Sequence, residues 1–231
     1  VIAVDVELLT HIPAFQHLPA QTLKLLADSS TDAAYHGGEI LFQQGDDPSS
    51  LFVLTSGRVK LFRQSKERVQ ILALPMIGEC FGAETLPNNT PCPYTVAALT
   101  AVDTLRFEPA QLHRLLVESP EFQEVFLTLV AARLKQFVSL VHDLAFRDVT
   151  ARLAAVLVTR AKTEGKPTPN GIIIPRLLSQ QEFAEMVGTA REVVYRTFKK
   201  FEQEGLARFT RETIEILALD MLTEIAHQEM Y

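Results

Sequence analysis

Three side chains in the stretch GTAREVVYR, residues 188–196, have the types and spacing to read nucleic-acid bases: Arg191, Glu192 and Arg196. An arginine offers a bidentate donor pair that matches guanine O6 and N7, and a glutamate accepts from the cytosine amino group. Both need a helix whose first turns enter the major groove. Around them Ser179, Gln180, Thr189, Thr197, Lys199 and Lys200 carry hydroxyl, amide and ammonium groups suited to phosphates, which fix position without specifying sequence.

The elements that must position this trio are legible nearby. SQQEFAEMVG opens with Ser179 and carries Glu182 three residues on, a capping box, and closes at Gly188. TAREVVYRTFKKFEQEG is a second helix that ends at Gly205. Two helices joined by a tight glycine turn make a helix-turn-helix. Phe183, Ala184 and Val187 are expected to pack on Val193, Val194, Thr197 and Phe198, turning Arg191, Glu192, Tyr195 and Arg196 outward. Around this pair, a helix over about 148–162, the turn-rich KTEGKPTPNG, a short strand IIIP and a two-stranded wing in LARFTRETIEILALD complete a small domain.

Net charge is −6, which argues against nucleic acid until the chain is divided. Residues 151–231 hold 11 basic and 11 acidic groups, whereas residues 1–150 hold 11 and 17. The acid excess therefore lies away from Arg191, Arg196, Lys199, Lys200, Arg208 and Arg211, and local patches govern phosphate binding.

Upstream, residues 12–28 read as a helical segment. From about 33 to 108, short apolar runs alternate with Gly, Pro and Asp, the texture of a β-sandwich or barrel. Ser119 and Pro120 then open a helix that runs to Phe146. Along it Leu127, Val130, Leu134, Phe137, Val141 and Leu144 recur at alternating spacings of 3 and 4, a heptad seam that predicts pairing with a second copy. Phe122, Phe126, Leu129 and Leu140 form another apolar face for its own domain.

Other chemistries lack their residues. There is no CxxC or HExxH spacing, and none of His11, His17, His36, His113, His142 and His227 makes a helical i,i+4 pair, so no metal site is expected. No nucleophile elbow or phosphate-cradling glycine loop points to an enzyme. Apolar runs fall short of the ~20 residues a membrane span needs, and VIAV lacks the features of a secretory signal, so a cytoplasmic protein without membrane contact is expected.

The chain resembles the cyclic-AMP receptor protein / fumarate-nitrate regulator (CRP/FNR) superfamily of bacterial transcription factors along nearly its whole length. GGEILFQQGDDPSSLFVLTSGRVKLF resembles the family's effector β-roll, LVHDLAFRDVTARLAAVLV its dimerisation helix and hinge, and IPRLLSQQEFAEMVGTAREVVYRTFKKFEQEGL its winged helix-turn-helix. The resemblance implies an α+β chain with a cyclic-nucleotide-binding-domain-like β-roll over 1–118, a dimerisation helix and hinge over 119–147, and a DNA-binding domain over 148–231. It further implies a homodimer on double-stranded DNA, reading an inverted repeat of TGTGA-like half-sites through Arg191, Glu192 and Arg196, with RNA polymerase as a further partner. The alternative is a ligand-binding regulatory module whose C-terminal domain contacts protein instead.

The effector region departs from the family pattern. Cyclic-nucleotide binders carry a Gly-Glu pair and then an Arg-Ser/Thr pair; here Ala83 follows Gly82, and Cys92-Pro93 or Pro93-Tyr94 stands at the second pair. With no Lys or Arg from Val69 to Leu105, a buried phosphate would lack a charge-assisted partner, which disfavours cyclic AMP or GMP. The expected pocket residues are Phe81, Gly82, Glu84, Thr85, Leu86, Cys92, Tyr94 and Thr95. Two cysteines are too few for the family's iron–sulfur branch; haem on Cys80, Cys92 or a histidine, or a Cys80–Cys92 redox switch, stays open.

Overall fold

The computed structural model describes residues 6–47, 50–82, 84 and 90–229. Two compact units emerge, one of residues 1–67 and 72–137 and one of residues 68–71 and 138–231.

Of the helical segment expected over 12–28 only the second half is helix, α2 (Ala20–Ser29), and a further short helix, α1 (Val6–Thr10), precedes it. Residues 11–18 are turns, because Pro13 withholds a backbone donor and biases Ile12 away from helical geometry. Eight strands follow: β1 (Thr31–Tyr35), β2 (Ile40–Phe42), β3 (Leu51–Ser56), β4 (Val59–Ser65), β5 (Arg68–Ala73), β6 (Cys80–Phe81), β7 (Thr95–Ala98) and β8 (Val102–Phe107). They form two four-stranded sheets, in the orders β1-β8-β3-β6 and β2-β7-β4-β5. Gly57 turns the chain from β3 to β4 at φ 79°, and a Cβ there would lie 2.1 Å from the Ala101 carbonyl oxygen, so no other residue fits.

Period-two alternation in β3 and β8 divides the core. Leu51, Val53, Leu105 and Phe107 face the helices, whereas Phe52, Leu54 and Val102 join Phe42, Leu61, Phe81, Cys92, Tyr94 and Val96 inside the roll. Phe52 stacks on Phe81 at 5.4 Å between centroids.

Helix α3 (Pro109–Glu118) leads to α4 (Pro120–Phe146), capped where Ser119 Oγ accepts the Phe122 N–H. Among the described helices α4 is long and apolar enough to cross a bilayer, which the count of unbroken apolar runs had not shown. Yet Phe122, Phe126 and Arg133 on it are buried in the first unit. The exposed stripe of α4 departs from the heptad at Phe137. Leu127, Val130, Leu134 and Val141 are exposed, but Phe137 packs into the roll core and Val138, one position on, is exposed in its stead; Leu144 is only half-exposed. The helix keeps about 3.6 residues per turn, so a 3.5-residue count drifts off the stripe along its length.

The second unit carries α5 (Val149–Glu164), whose first turn is capped by Asp148 accepting from the Ala151 N–H at 2.7 Å. The hairpin β9 (Lys166–Thr168) and β10 (Gly171–Pro175) precedes α6 (Gln180–Val187) and α7 (Arg191–Gln203). The wing, β11 (Ala207–Phe209) and β12 (Thr213–Ile216), joins that hairpin in one sheet of order β11-β12-β10-β9. A closing helix, α8 (Leu219–Ala226), which the sequence reading did not anticipate, packs on α5 with Leu222 and Ala226 buried.

Candidate DNA interface and effector chamber

The turn that presents α7 is built as its residues dictate. Ser179 Oγ accepts the Glu182 N–H while the Glu182 carboxylate accepts the Ser179 N–H, and Gly188 closes α6 in the left-handed region at φ 66°. Phe198 locks α7 in place: it meets Phe183 edge-on at 5.2 Å and stacks on Phe209 of the wing at 4.1 Å. Val194, Phe198 and Phe201 are buried, and Arg191, Glu192, Tyr195 and Arg196 are exposed.

The residues expected at phosphates divide. Thr197 is 7% exposed and its hydroxyl donates to the Val193 carbonyl at 2.9 Å, so it is a packing residue; the i−4 backbone oxygen satisfies it, not DNA. Lys199 pairs with Glu202 at 2.6 Å, which raises the lysine pKa and lowers that of the carboxyl, and Lys200 lies 3.9 Å from Glu204. Ser179 spends its hydroxyl on the cap, whereas Gln180 and Thr189 are half-exposed. Arg191 and Arg196 form no ion pair among the described residues.

Within the roll, Phe81, Cys92 and Tyr94 share the aromatic core, and Thr95 accepts the Gln44 N–H through its hydroxyl. Thr85 and Leu86 lie outside the described residues. Tyr94 is the pivot: its hydroxyl donates to Glu84 Oε2 at 2.7 Å and accepts the Gly82 N–H at 3.1 Å. Burial first, then the Glu84 charge and hydrogen bond, hold the phenol well above its ordinary pKa.

A cation does reach this region, from beyond the Lys- and Arg-free stretch 69–105. Arg133 of α4 is buried, donates Nη2 to the Cys80 carbonyl at 2.8 Å and Nη1 to Gln136 Oε1 at 2.6 Å, and leaves its Nε unpartnered. Cys80 and Cys92 are both free thiols. Cys80 faces the helical core and Cys92 the roll interior, so the β3-β8 sheet separates them and a disulfide would require the strands to part. Burial pushes the Cys80 thiol up to about 12, with Arg133 opposing.

Residues 33–119 match the family described as Cyclic nucleotide-binding domain, and residues 151–225 match the Crp-like helix-turn-helix domain. The CRP-like cAMP-activated global transcriptional regulator of Mycobacterium tuberculosis is 25% identical over 211 residues, covering 91% of this chain and 94% of that protein. The global nitrogen regulator of Synechococcus elongatus is 28% identical over 186 residues, 79% of this chain and 83% of that protein. Among solved structures, the c-di-GMP responsive global regulator CLP of Xanthomonas campestris superposes with a TM-score of 0.76 at 25% identity, covering 86% of this chain and 99% of that one.

Proposed function

This chain belongs to the CRP/FNR family of transcription regulators, and we propose that it acts as a homodimer that reads an inverted repeat through Arg191, Glu192 and Arg196. The carrying observation is the exposure of these three on the first turns of α7, behind a turn fixed by Gly188 and a helix fixed by Phe198. The exposed stripe Leu127, Val130, Leu134, Val138 and Val141 on α4 supports pairing with a second copy. Two-fold pairing would set two recognition helices one DNA turn, roughly 34 Å, apart.

Selection from a random duplex library tests this. The expected product is a pseudo-palindrome of TGTGA-like halves, bound with a steep salt dependence. Enrichment of a single unrepeated site, or no binding at low salt, would refute it.

The effector we infer is not a cyclic nucleotide, although the matched domain implies one. In family members that bind one, the phosphate sits at a Gly-Glu and an Arg-Ser/Thr pair. Here the Gly82 N–H is taken by the Tyr94 hydroxyl, and Glu84 places a carboxylate beside it. An entering phosphate would displace the hydroxyl oxygen as the neutral acceptor of that N–H and face the negative charge. Arg133 tempers the deficit of positive charge, but it is committed to Cys80 and Gln136. The named signals of relatives differ, cAMP for one and c-di-GMP for another, so family membership alone selects none.

A further inference from the structure

The interior of the roll is closed by its own aromatic rings. Tyr94 lies against Phe42 at 5.8 Å between centroids, Phe42 against Phe52 at 5.8 Å, and Phe52 against Phe81 at 5.4 Å. Tyr94 and Phe81 are each 1% exposed. Polar groups at the edge of this core are spent on the same phenol, whose hydroxyl accepts the Gly82 N–H and donates to Glu84. A ligand entering here would have to expel a buried ring and then satisfy the donor and the carboxylate that the ring leaves stranded.

Tyr94 is also held from both sides along the chain. Cys92 exchanges backbone hydrogen bonds with the turn after β2, accepting the Gly45 N–H and donating to the Asp46 carbonyl, each at 2.9 Å. On the far side the Thr95 hydroxyl accepts the Gln44 N–H at 3.0 Å. Helix α4 is fastened to the same core by the chain itself: Arg133 donates to the Cys80 carbonyl, next to Phe81, and Phe137 packs against the aromatic cluster. A ligand shifts an equilibrium only by its difference in affinity for two states. The ring, hydroxyl and helix contacts that could supply such a difference are made here within the chain.

We propose that Tyr94 is the permanent occupant of the effector chamber, that it does for α4 in cis what an effector would do, and that the dimer binds its operator with no small molecule in the roll. The inference rests on the DNA-reading role of α7. It extends the exclusion of cyclic nucleotides to small-molecule effectors as a class. Operator occupancy then follows the concentration of the dimer, not that of a metabolite.

The test uses the full-length protein and the duplex it selects. The protein is unfolded in concentrated guanidinium chloride, freed of small molecules by gel filtration in denaturant, and refolded, with circular dichroism and light scattering to confirm fold and dimer. Its affinity should match that of natively purified protein within about twofold. Native mass spectrometry of the latter should give the mass of a pair of chains alone. Three results would each overturn the inference: a refolded dimer about tenfold or more weaker, an adduct released on denaturation, or binding that appears only with the low-molecular-weight filtrate of a cell extract. If the protein does not refold, the native mass and the filtrate carry the test. Tyr94→Ala should bind about tenfold more weakly and recover with p-cresol, which refills the cavity. Unchanged binding by the folded variant, or a loss that p-cresol does not reduce, overturns the role of the ring. A protein that binds no duplex with or without the filtrate overturns instead the DNA reading on which the inference rests.

Discussion

Tyr94 holds Glu84 inside the roll through a 2.7 Å hydrogen bond, with the phenol as donor and the carboxylate as acceptor. The same oxygen accepts from Gly82, so one hydroxyl satisfies a backbone donor and a charged acceptor. Tyr94→Phe removes both partners while keeping the ring, and the stranded groups should cost about 1–3 kcal/mol in urea unfolding. The wild type should gain no thermal stability from millimolar cyclic AMP. A ligand at a hundred times its Kd would add about 2.7 kcal/mol, which a melting curve resolves.

Cys80 should be slow to react. Its thiol ionises near 12 against 9 in the unfolded chain, so at pH 8 the folded thiolate fraction is about a thousandfold lower. Iodoacetamide should label it in denaturant and spare it in the native state. Below pH 9 the thiol is protonated in both states and its contribution to stability is full; from 9 to 12 only the unfolded chain ionises, so stability falls as pH rises. Cys80→Ala should flatten that alkaline loss.

The two domains differed in how openly the sequence displayed them. Ser179, Glu182 and Gly188 announce α6 because capping and left-handed geometry are local demands, met by few residue types. The charge network of the roll was hidden because it is not local: Arg133 comes from 53 positions beyond Cys80, and no window along the chain pairs them. Phe137 and Val138 were exchanged in the seam because both are apolar and adjacent, and only the roll core decides which turns inward. Thr197 misled for a different reason. A hydroxyl on a recognition helix suits a phosphate as well as a preceding carbonyl, and composition cannot choose between them.

The exposed α4 stripe gives a test of assembly that leaves folding intact. Leu134 is 63% exposed and Val141 65%, so aspartate at either should leave the melting temperature of the separate unit nearly unchanged. In a paired helix the same charge is desolvated against a partner's apolar seam, so light scattering should report monomers. Binding to the two-half-site duplex should collapse with it. Phe137→Ala should behave oppositely, destabilising the roll by about 2 kcal/mol because its ring packs on the core of its own chain.

The two recognition arginines should separate from the lysines behind them. Arg191 and Arg196 are exposed and unpaired among the described residues, whereas Lys199 and Lys200 already face Glu202 and Glu204. A free guanidinium can give both donors to a guanine edge, and losing that pair costs about 1–3 kcal/mol of discrimination at one base pair. Arg191→Ala and Arg196→Ala should therefore each flatten preference at a single, different position of the half-site in competition binding. Lys199→Ala should weaken all sequences alike and by less, since part of its charge is already offset by Glu202. If both arginine variants kept the wild-type base preference, the face of α7 would be a phosphate surface, and specificity would have to come from the shape of the bound duplex.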